Sequence, residues 1–228
     1  MSLPKLALFD LDHTLIPFDS DYSWGQFIAR LGWTDPIEHT RRNDAFYAQY
    51  KAGTLDIFEY ARFATAAFVE RGEEAARKAH ALYMQEVVKP GLLPQAFELV
   101  RQHKEEGATV IVVTATNEFV TRPIAAALGA DELMAVDLQR DTRPGGTGWF
   151  TGEVRGVPSF REGKVARVQA WLAARNLGWQ DVHSTFYSDS INDLPLLEKA
   201  NVPVATNPDE PLRVIAQSRG WRILELFA

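Results

Sequence analysis

Four aspartates stand at positions from which their carboxylates could act together. Asp10 and Asp12 are one residue apart in "LALFDLDHTL", directly after an apolar run. Asp189 and Asp193 are four residues apart in "FYSDSINDLPLL", after a second apolar run. Side chains i and i+2 of a strand point to the same side, and residues i and i+4 of a helical turn share a face. The spacing therefore predicts that the members of each pair face one place.

Two more polar residues are predicted to lie near these acids. Thr114 ends the apolar run "VIVVT", where its hydroxyl and the amides of a following helix could bind an anionic oxygen. Lys164 opens a helical segment in "REGKVARV" and could compensate the carboxylates. Each residue alone has an ordinary explanation, such as a turn aspartate, a capping threonine or a surface lysine. Their common position at or near the carboxyl ends of predicted strands indicates an active site, because ligands bind there in open α/β sheets.

Strand-like and helix-like segments alternate along most of the chain. The apolar runs predict buried strands at 6–10, 108–114 and 184–188, with weaker ones at 132–138 and 201–206. Helical segments are predicted at 117–128, 192–199 and 209–219. Strands separated by helices are typical of parallel β-α-β units. The sequence thus predicts an α/β fold with a doubly wound parallel sheet.

One long stretch interrupts this alternation, because it contains helix-period segments and no convincing strand. It predicts a helical cap (18–89) inserted after the first strand into a catalytic core (1–17 and 90–228). Within the insertion, Thr54 is predicted to cap the helix in "TLDIFEYARFATAAFVER". The Gly-rich stretch 145–160 predicts a hairpin at the edge of the sheet.

Composition restricts the possible functions. The 228 residues include no cysteine, which excludes disulfides, thiolate zinc sites and cysteine-ligated iron–sulfur clusters. The net charge is −6 and the 24 Lys and Arg residues are scattered, so nucleic-acid binding is not expected. No apolar stretch approaches the ~20 residues of a membrane span, and the first apolar run is too short for a signal peptide. A soluble, cytoplasmic protein is expected, with its oligomeric state left open.

The motifs, taken in order, resemble those of the haloacid-dehalogenase-like superfamily of phosphatases. "DLDHTL" matches the first motif and "SDSINDLPLL" the fourth, while Thr114 and Lys164 match the second and third. The helical insertion resembles the cap of the phosphoserine-phosphatase-like branch, and both long motifs are similar to a branch that includes some histidinol-phosphate phosphatases. The resemblance implies a Rossmann-like core and a Mg²⁺-dependent phosphomonoesterase that forms an aspartyl-phosphate intermediate on a small phosphate ester.

The resemblance also implies a role for each motif residue. Asp10 would be the nucleophile, and Asp12 would be the general acid and base that serves the leaving group and then water. Four acids would form the Mg²⁺ site, the last by holding a coordinating water or orienting the motif lysine: Asp10, Asp12 (through its carbonyl oxygen), Asp189 and Asp193. Phosphate and substrate would be bound by Thr114, Ala115, Lys164, Asn192 and Asp19.

The substrate is less defined than the chemistry. In phosphoserine phosphatases an acidic residue nine positions after the nucleophile holds the amine of the substrate. Here that position is Asp19, which could equally cap a helix. The second motif of those enzymes usually reads Ser-Gly-Gly, whereas this chain has Thr114-Ala115-Thr116. These features favour an amino-alcohol phosphate such as histidinol phosphate or phosphoserine, and they weaken the case for phosphoserine alone.

Three other functions fit parts of the pattern. A phosphotransferase or phosphomutase would pass the phosphoryl group to a hydroxyl other than water. A dehalogenase would share the fold but would need neither Asp12 nor the pair formed by Asp189 and Asp193. A non-enzymatic phospho-acceptor regulator also carries Asp, Thr and Lys at strand ends, but it lacks a helical insertion of this length. The full set of acids favours the phosphatase.

Overall fold

The structure is a computed structural model that describes residues 3–227 and is built around a parallel sheet. The strands are β1 (Lys5–Phe9), β2 (Thr109–Asn117), β3 (Glu132–Val136), β4 (Leu138–Arg140), β5 (Phe150–Val154), β6 (His183–Ser188), β7 (Val202–Thr206) and β8 (Arg222–Leu224). Six of them form one sheet in the order β3-β2-β1-β6-β7-β8, with every neighbouring pair parallel. The chain runs outward from β1 to β3 and then begins again with β6 on the other side of β1. This arrangement confirms the predicted α/β fold.

Helices fill the segments between the strands. They are α1 (Ser20–Arg30), α2 (Pro36–Ala52), α3 (Ile57–Arg71), α4 (Glu73–Tyr83), α5 (Lys89–Gly91), α6 (Pro94–Glu105), α7 (Glu118–Ala127), α8 (Glu162–Ala173), α9 (Leu194–Leu197) and α10 (Glu210–Arg219), with a π-helical turn at Met84–Val88 and 3₁₀ turns at Trp179–Asp181 and Ile191–Asp193. Helices α1–α4, here called the inserted helices, lie between β1 and β2, where the sequence predicts a helical insertion. None of the helices in residues 3–227 is long and apolar enough to cross a bilayer.

Apolar side chains cover both faces of the sheet. Successive residues of β1 point to opposite faces, so Ala7 and Phe9 join one apolar cluster while Leu6 and Leu8 join another. The first cluster includes side chains of α6, α7 and the inserted helices, and the second includes side chains of α8, α9 and α10. Burial on both faces explains why the strands are apolar without alternation.

Aspartates begin the first three inserted helices. The side chain of Asp19 caps α1, and that of Asp35 caps α2. Asp56 caps α3 by accepting hydrogen bonds from two first-turn amides at 2.9 and 3.1 Å. The prediction that Thr54 caps this helix is wrong. The helix begins two residues further on, and the Asp56 carboxylate is the group within reach of its free amides.

A hairpin forms here, but only its second strand lies within the predicted stretch 145–160, and the predicted position at the edge of the main sheet is wrong. Strands β4 and β5 pair antiparallel in a two-stranded sheet of their own. Buried Trp149 and Phe150 pack against Phe68 of α3, with ring centroids 6.2 and 6.3 Å from that of Phe68. Burial of these aromatic side chains against α3 stabilises the hairpin in this position, away from the edge of the main sheet.

Candidate active site

The candidate site lies at the carboxyl ends of β1, β2 and β6. These strands are neighbours in the middle of the sheet, where the strand order reverses and where open α/β sheets bind their ligands. Asp10 directly follows β1, Asp189 directly follows β6, and Thr114 lies in the last half of β2. Beyond Asp10 the chain turns sharply, because the amides of residues 14–16 donate to the carbonyl oxygen of Leu11 at 3.2, 2.8 and 3.1 Å.

Lys164 is a buried lysine that connects two of the acids. It lies in the first turn of α8, is 2% exposed, and donates from Nζ to Asp10 Oδ1 at 2.9 Å and to Asp193 Oδ2 at 2.7 Å. Ser188 donates to the same Asp193 oxygen at 2.6 Å. Burial opposes the charge of Lys164, but the attraction of Asp10 and Asp193 raises its pKa above the ordinary value. Lys164 therefore remains cationic while it is buried.

Asp12 is held by donors from two distant parts of the chain. Its Oδ1 accepts from the amide of Ser20 at 2.9 Å, and its Oδ2 accepts from the hydroxyl of Thr116 at 2.9 Å. Burial, followed by the charge of Asp19, raises the pKa of Asp12 to about 6, although the two donors oppose the rise. A carboxyl group with a pKa near neutrality can both donate and accept a proton at physiological pH.

Asp189 is fixed by Thr14 and repelled by the other acids. Its amide donates to Thr14 Oγ1 at 3.0 Å, and the Thr14 hydroxyl is 3.2 Å from Asp189 Oδ1. Burial and the charges of Asp10 and Asp193 raise the pKa of Asp189 well above its usual range. Burial also raises the pKa of Asp10, and Lys164 opposes this only in part. The acids thus carry more negative charge than one lysine compensates.

This excess of anionic oxygen fits a hard cation. Within residues 3–227, no three side chains of His, Cys, Asp or Glu form a group that could hold a metal ion. A Mg²⁺ site does not require three, since the ion usually takes one or two carboxylates and keeps several waters. Asp10 is buried and Asp189 is partly buried, and they are close enough that the charge of Asp10 raises the pKa of Asp189. The residues present therefore fit a magnesium ion.

A cavity of about 770 Å³ extends from the acids to the inserted helices. The side formed by α1–α3 is largely aromatic, with Tyr22, Phe46, Tyr47, Tyr50 and Tyr60. Lys51 is the one lysine or arginine among the described residues that line it. Carboxylates are more numerous, and they are Asp10, Asp12, Asp19, Asp189, Asp209, Glu210 and Glu225. The cavity is therefore both acidic and rich in rings.

The other predicted substrate-binding residues also line this cavity. Thr114 is buried and accepts the amide of Thr116 on Oγ1 at 3.1 Å, while Ala115 lies between them. Asp19 caps α1 by accepting the amide of residue 22 at 2.8 Å, and it faces the cavity as well. Asn192 donates from its side-chain amide to the carbonyl oxygen of Tyr50 at 2.9 Å, which connects the end of α2 to the fourth motif. The predicted site residues thus line one cavity or are hydrogen-bonded to residues that do.

Sequence reasoning missed four hydrogen-bonding partners of the acids: Thr14, Ser20, Thr116 and Ser188. Thr116 could have been found, because it lies two residues after Thr114 near the end of the same strand and period-two spacing places both on one side. Ser188 immediately precedes Asp189 and is the last residue of β6. The roles of the other two depend on how a turn folds back onto the site, which spacing alone does not indicate.

Comparisons with known proteins identify the family of this chain. A family model described as haloacid dehalogenase-like hydrolase matches residues 7–198. A histidinol-phosphatase of Neisseria meningitidis serogroup C (strain 8013) is 38% identical over 223 residues, which cover 97% of this chain and 99% of that protein. A crystal structure of a protein of unknown function from Bordetella pertussis Tohama I has a TM-score of 0.91 and 46% identity, covering 99% of this chain and 100% of that one. A substrate-bound phosphoserine phosphatase has the same fold, with a TM-score of 0.66, 18% identity and coverage of 99% and 94%.

Proposed function

Because this chain belongs to the haloacid dehalogenase-like hydrolase family and is a phosphatase, we propose that it hydrolyses the phosphate monoester of a small amino alcohol, with histidinol phosphate preferred. The proposal includes Mg²⁺ as cofactor, an aspartyl-phosphate intermediate and a cap (18–89) over a core (1–17 and 90–228). The observation that carries it is that Asp10 and Asp12 share one cavity with an acidic and aromatic lining.

Asp10 acts in the first half of the proposed reaction. Its carboxylate oxygen forms a bond to phosphorus while the bond from phosphorus to the ester oxygen breaks. Asp12, in its protonated form, gives its proton to the departing alkoxide, so that a neutral alcohol leaves. Lys164, 2.9 Å from Asp10 Oδ1, balances the charge of the carboxylate and the phosphate. Thr114 and nearby amides hold the non-bridging oxygens of the phosphoryl group.

Water completes the reaction in the second half. Asp12, now a carboxylate, accepts a proton from the water that attacks phosphorus, and the bond from phosphorus to Asp10 breaks. Inorganic phosphate leaves, and both aspartates return to their starting states. A pKa of about 6 suits Asp12 to this exchange, because both of its forms are populated near neutral pH. Asp193 positions Lys164 through their 2.7 Å contact.

Asp10, Asp189 and the carbonyl oxygen of Asp12 would hold the magnesium ion, with Asp193 close to it. When bound, the ion supplies positive charge that offsets the acids and the phosphate. This part of the proposal is supported by the raised pKa of Asp10 and of Asp189, since burial and mutual repulsion disfavour two neighbouring carboxylates without a cation.

The charges of the cavity favour an amine on the substrate over a carboxylate. Asp19 would pair with the ammonium group of an amino alcohol. Among residues 3–227, Lys51 is the one lysine or arginine that lines the cavity. Its Nζ lies 4.8 Å from the ring centroid of Tyr47. Histidinol phosphate has an ammonium group and no carboxylate, whereas phosphoserine would bring a further carboxylate into an acidic cavity. The similarity to a histidinol-phosphatase supports the same preference.

A substrate panel tests this proposal. Phosphate release would be measured for histidinol phosphate, phosphoserine, glucose 6-phosphate and adenosine monophosphate with excess Mg²⁺. We expect the highest kcat/KM for histidinol phosphate and a value at least about tenfold lower for phosphoserine, because an unpaired polar group in a binding site costs about 1–3 kcal/mol. Equal or faster hydrolysis of the nucleotide would contradict the proposed substrate class.

A further inference from the structure

Asn43 is a polar exception in the aromatic wall of the cavity. It lies on α2, is 4% exposed and lines the cavity together with Phe46 and Tyr47 of the same helix and Tyr60 of α3. Among residues 3–227, the hydrogen bonds made by α2 side chains include none to the Asn43 amide. The Asn43 side chain therefore has no hydrogen-bonding partner among residues 3–227, and because its amide atoms are not among the completely buried unpaired polar atoms, they are accessible from the cavity.

An asparagine in this position is less favourable for the helix than leucine, which has a similar size and a higher helix propensity. The packing behind the amide is close, since a Cβ added at Gly25 of α1 would lie 3.4 Å from Asn43 Nδ2. The amide is thus confined by α1 on one side, and a ligand in the cavity is the partner that would satisfy it.

The surrounding rings indicate what kind of group this ligand carries. The ring centroids of Phe46 and Tyr60 are 5.4 Å apart. Tyr60 lies close enough to the carboxyl group of Asp21 that each influences the pKa of the other. Aromatic walls bind flat groups through stacked and edge contacts. The amide of Asn43 offers both a donor and an acceptor, and a nitrogen heterocycle with an N–H group satisfies such a pair.

We propose that Asn43, with Phe46 and Tyr60, forms a subsite for a flat nitrogen heterocycle of the substrate, such as the imidazole of histidinol phosphate. The inference rests on the proposed function and adds to it the residue that selects the ring. Asp10 and Asp12 act on the ester group, which amino-alcohol phosphates share. Asn43 distinguishes them by the group at the other end.

Two matched esters separate the ring from the rest of the substrate. Histidinol phosphate and alaninol phosphate share the amine and the phosphate ester, and only the first has an imidazole. The value of kcat/KM is measured for both with the wild type, Asn43→Leu, Asn43→Ala and the control Gln49→Leu, which changes an exposed residue of the same helix. Leucine fills the space of the amide and alanine leaves it open, so a shared effect reports the lost hydrogen bonds.

We expect the ratio of kcat/KM for histidinol phosphate to that for alaninol phosphate to fall at least about tenfold in both Asn43 variants, mainly through KM. The control keeps the wild-type ratio. Calorimetric titration of the product alcohol, histidinol, is expected to show a similar rise in Kd for Asn43→Ala, and this measurement does not depend on turnover. If Asn43→Leu does not fold, the alanine variant and the titration of histidinol still test the ring subsite.

The proposed substrate and the proposed ring subsite can be refuted separately. A wild type that hydrolyses histidinol phosphate, combined with folded Asn43 variants that keep the wild-type ratio, would overturn the ring subsite alone. An equal loss with both esters would also overturn it, because the effect would not depend on the ring. A wild type that does not hydrolyse histidinol phosphate would overturn the proposed substrate and the ring subsite with it.

Discussion

The ammonium group of Lys164 is buried between Asp10 and Asp193, at 2.9 and 2.7 Å. Removing one partner of a buried ion pair leaves a charge uncompensated and typically costs about 3–5 kcal/mol. Substitutions of Lys164 would therefore reduce stability and activity together. A change at Asp10 separates the two more cleanly, because an asparagine there can still accept the hydrogen bond from Lys164.

Asp10→Asn is expected to lower kcat for histidinol phosphate by about a thousandfold or more, since an amide oxygen is a much weaker nucleophile than a carboxylate. The melting temperature is expected to stay within a few degrees of the wild-type value, because the hydrogen bond is kept and Asp193 still compensates the charge of Lys164. Asp35→Asn is the matched control, since asparagine caps α2 as well as aspartate does. Wild-type turnover by Asp10→Asn would refute the nucleophile assignment.

Asp21 is a buried carboxyl group to which the proposed mechanism gives no role. It accepts a hydrogen bond from the side-chain amide of Asn117 at 3.2 Å. Burial, followed by the charge of Asp19, raises the pKa of Asp21 to about 8, although the nearby Tyr60 hydroxyl opposes the rise. In the unfolded chain the pKa is about 3.9. Between these values the folded state keeps a proton that the unfolded state releases.

The free energy of unfolding of the wild type should therefore fall, relative to that of Asp21→Asn, as pH rises from about 4 to about 8. The contribution of Asp21 is fully present below pH 4 and is lost through the folded-state pKa, with a slope of at most about 1.4 kcal/mol per pH unit. Urea unfolding of both proteins at several pH values measures this difference. A difference that is constant across the window would show that Asp21 ionises normally in the folded protein.

At the scale of elements, hydrogen bonds fasten the end of α2 to the core. Arg161 donates to the carbonyl oxygen of Gly53 at 2.9 Å, and the Tyr50 hydroxyl donates to Ser190 at 3.0 Å. Asn192 adds a third contact, to the carbonyl oxygen of Tyr50. Since Tyr50 also lines the cavity, these bonds determine how closely the inserted helices approach the acids.

The variant Gly53→Ala tests whether the contact between Arg161 and the end of α2 positions this helix. Gly53 has φ 69°, and a Cβ there would lie 2.7 Å from the guanidinium of Arg161. The substitution should displace Arg161 as well as strain the backbone, whereas Gly32→Ala, at φ 72° with open space around it, should produce the strain alone. Both variants should lose about 1–2 kcal/mol of stability, but only Gly53→Ala should raise KM severalfold and speed amide hydrogen exchange at residues 50–54. Equal KM values for the two variants would contradict the proposed role of the contact.

At the scale of the whole molecule, the sequence predicts the parallel sheet well and the tertiary details less well. Apolar runs bounded by polar strand ends identify five of the six strands of this sheet. The motif resemblance to the haloacid-dehalogenase-like phosphatases is confirmed by the family match. The short edge strand β8 is only partly buried, so it has no apolar run to reveal it. The position of the hairpin β4–β5 depends on its aromatic contacts with α3, which its place in the chain does not reveal.

The residues of the site are also only partly predictable from the sequence. Strand ends predict which residues meet, because parallel strands bring their carboxyl ends to one edge of a sheet. Contacts across the insertion are not predictable from spacing. Thr116 donates to Asp12 across 104 positions, and Asn43 reaches the cavity only because α2 folds back over it. Asp19 also shows that a capping role and a place in the cavity are compatible in one residue.

The balance of charge gives a last prediction for the molecule as a whole. The protein has a net charge of −6 and gathers buried and partly buried acids around one lysine, so a bound cation should stabilise the folded state. At a Mg²⁺ concentration of about 100 times Kd the gain is about 2.7 kcal/mol, which raises Tm by roughly 5–10 °C for a chain of this size. Asp189→Asn should lose most of this rise, and the exposed control Glu86→Gln should keep it. Scanning calorimetry with and without EDTA measures both, and an undiminished rise in Asp189→Asn would place the ion elsewhere.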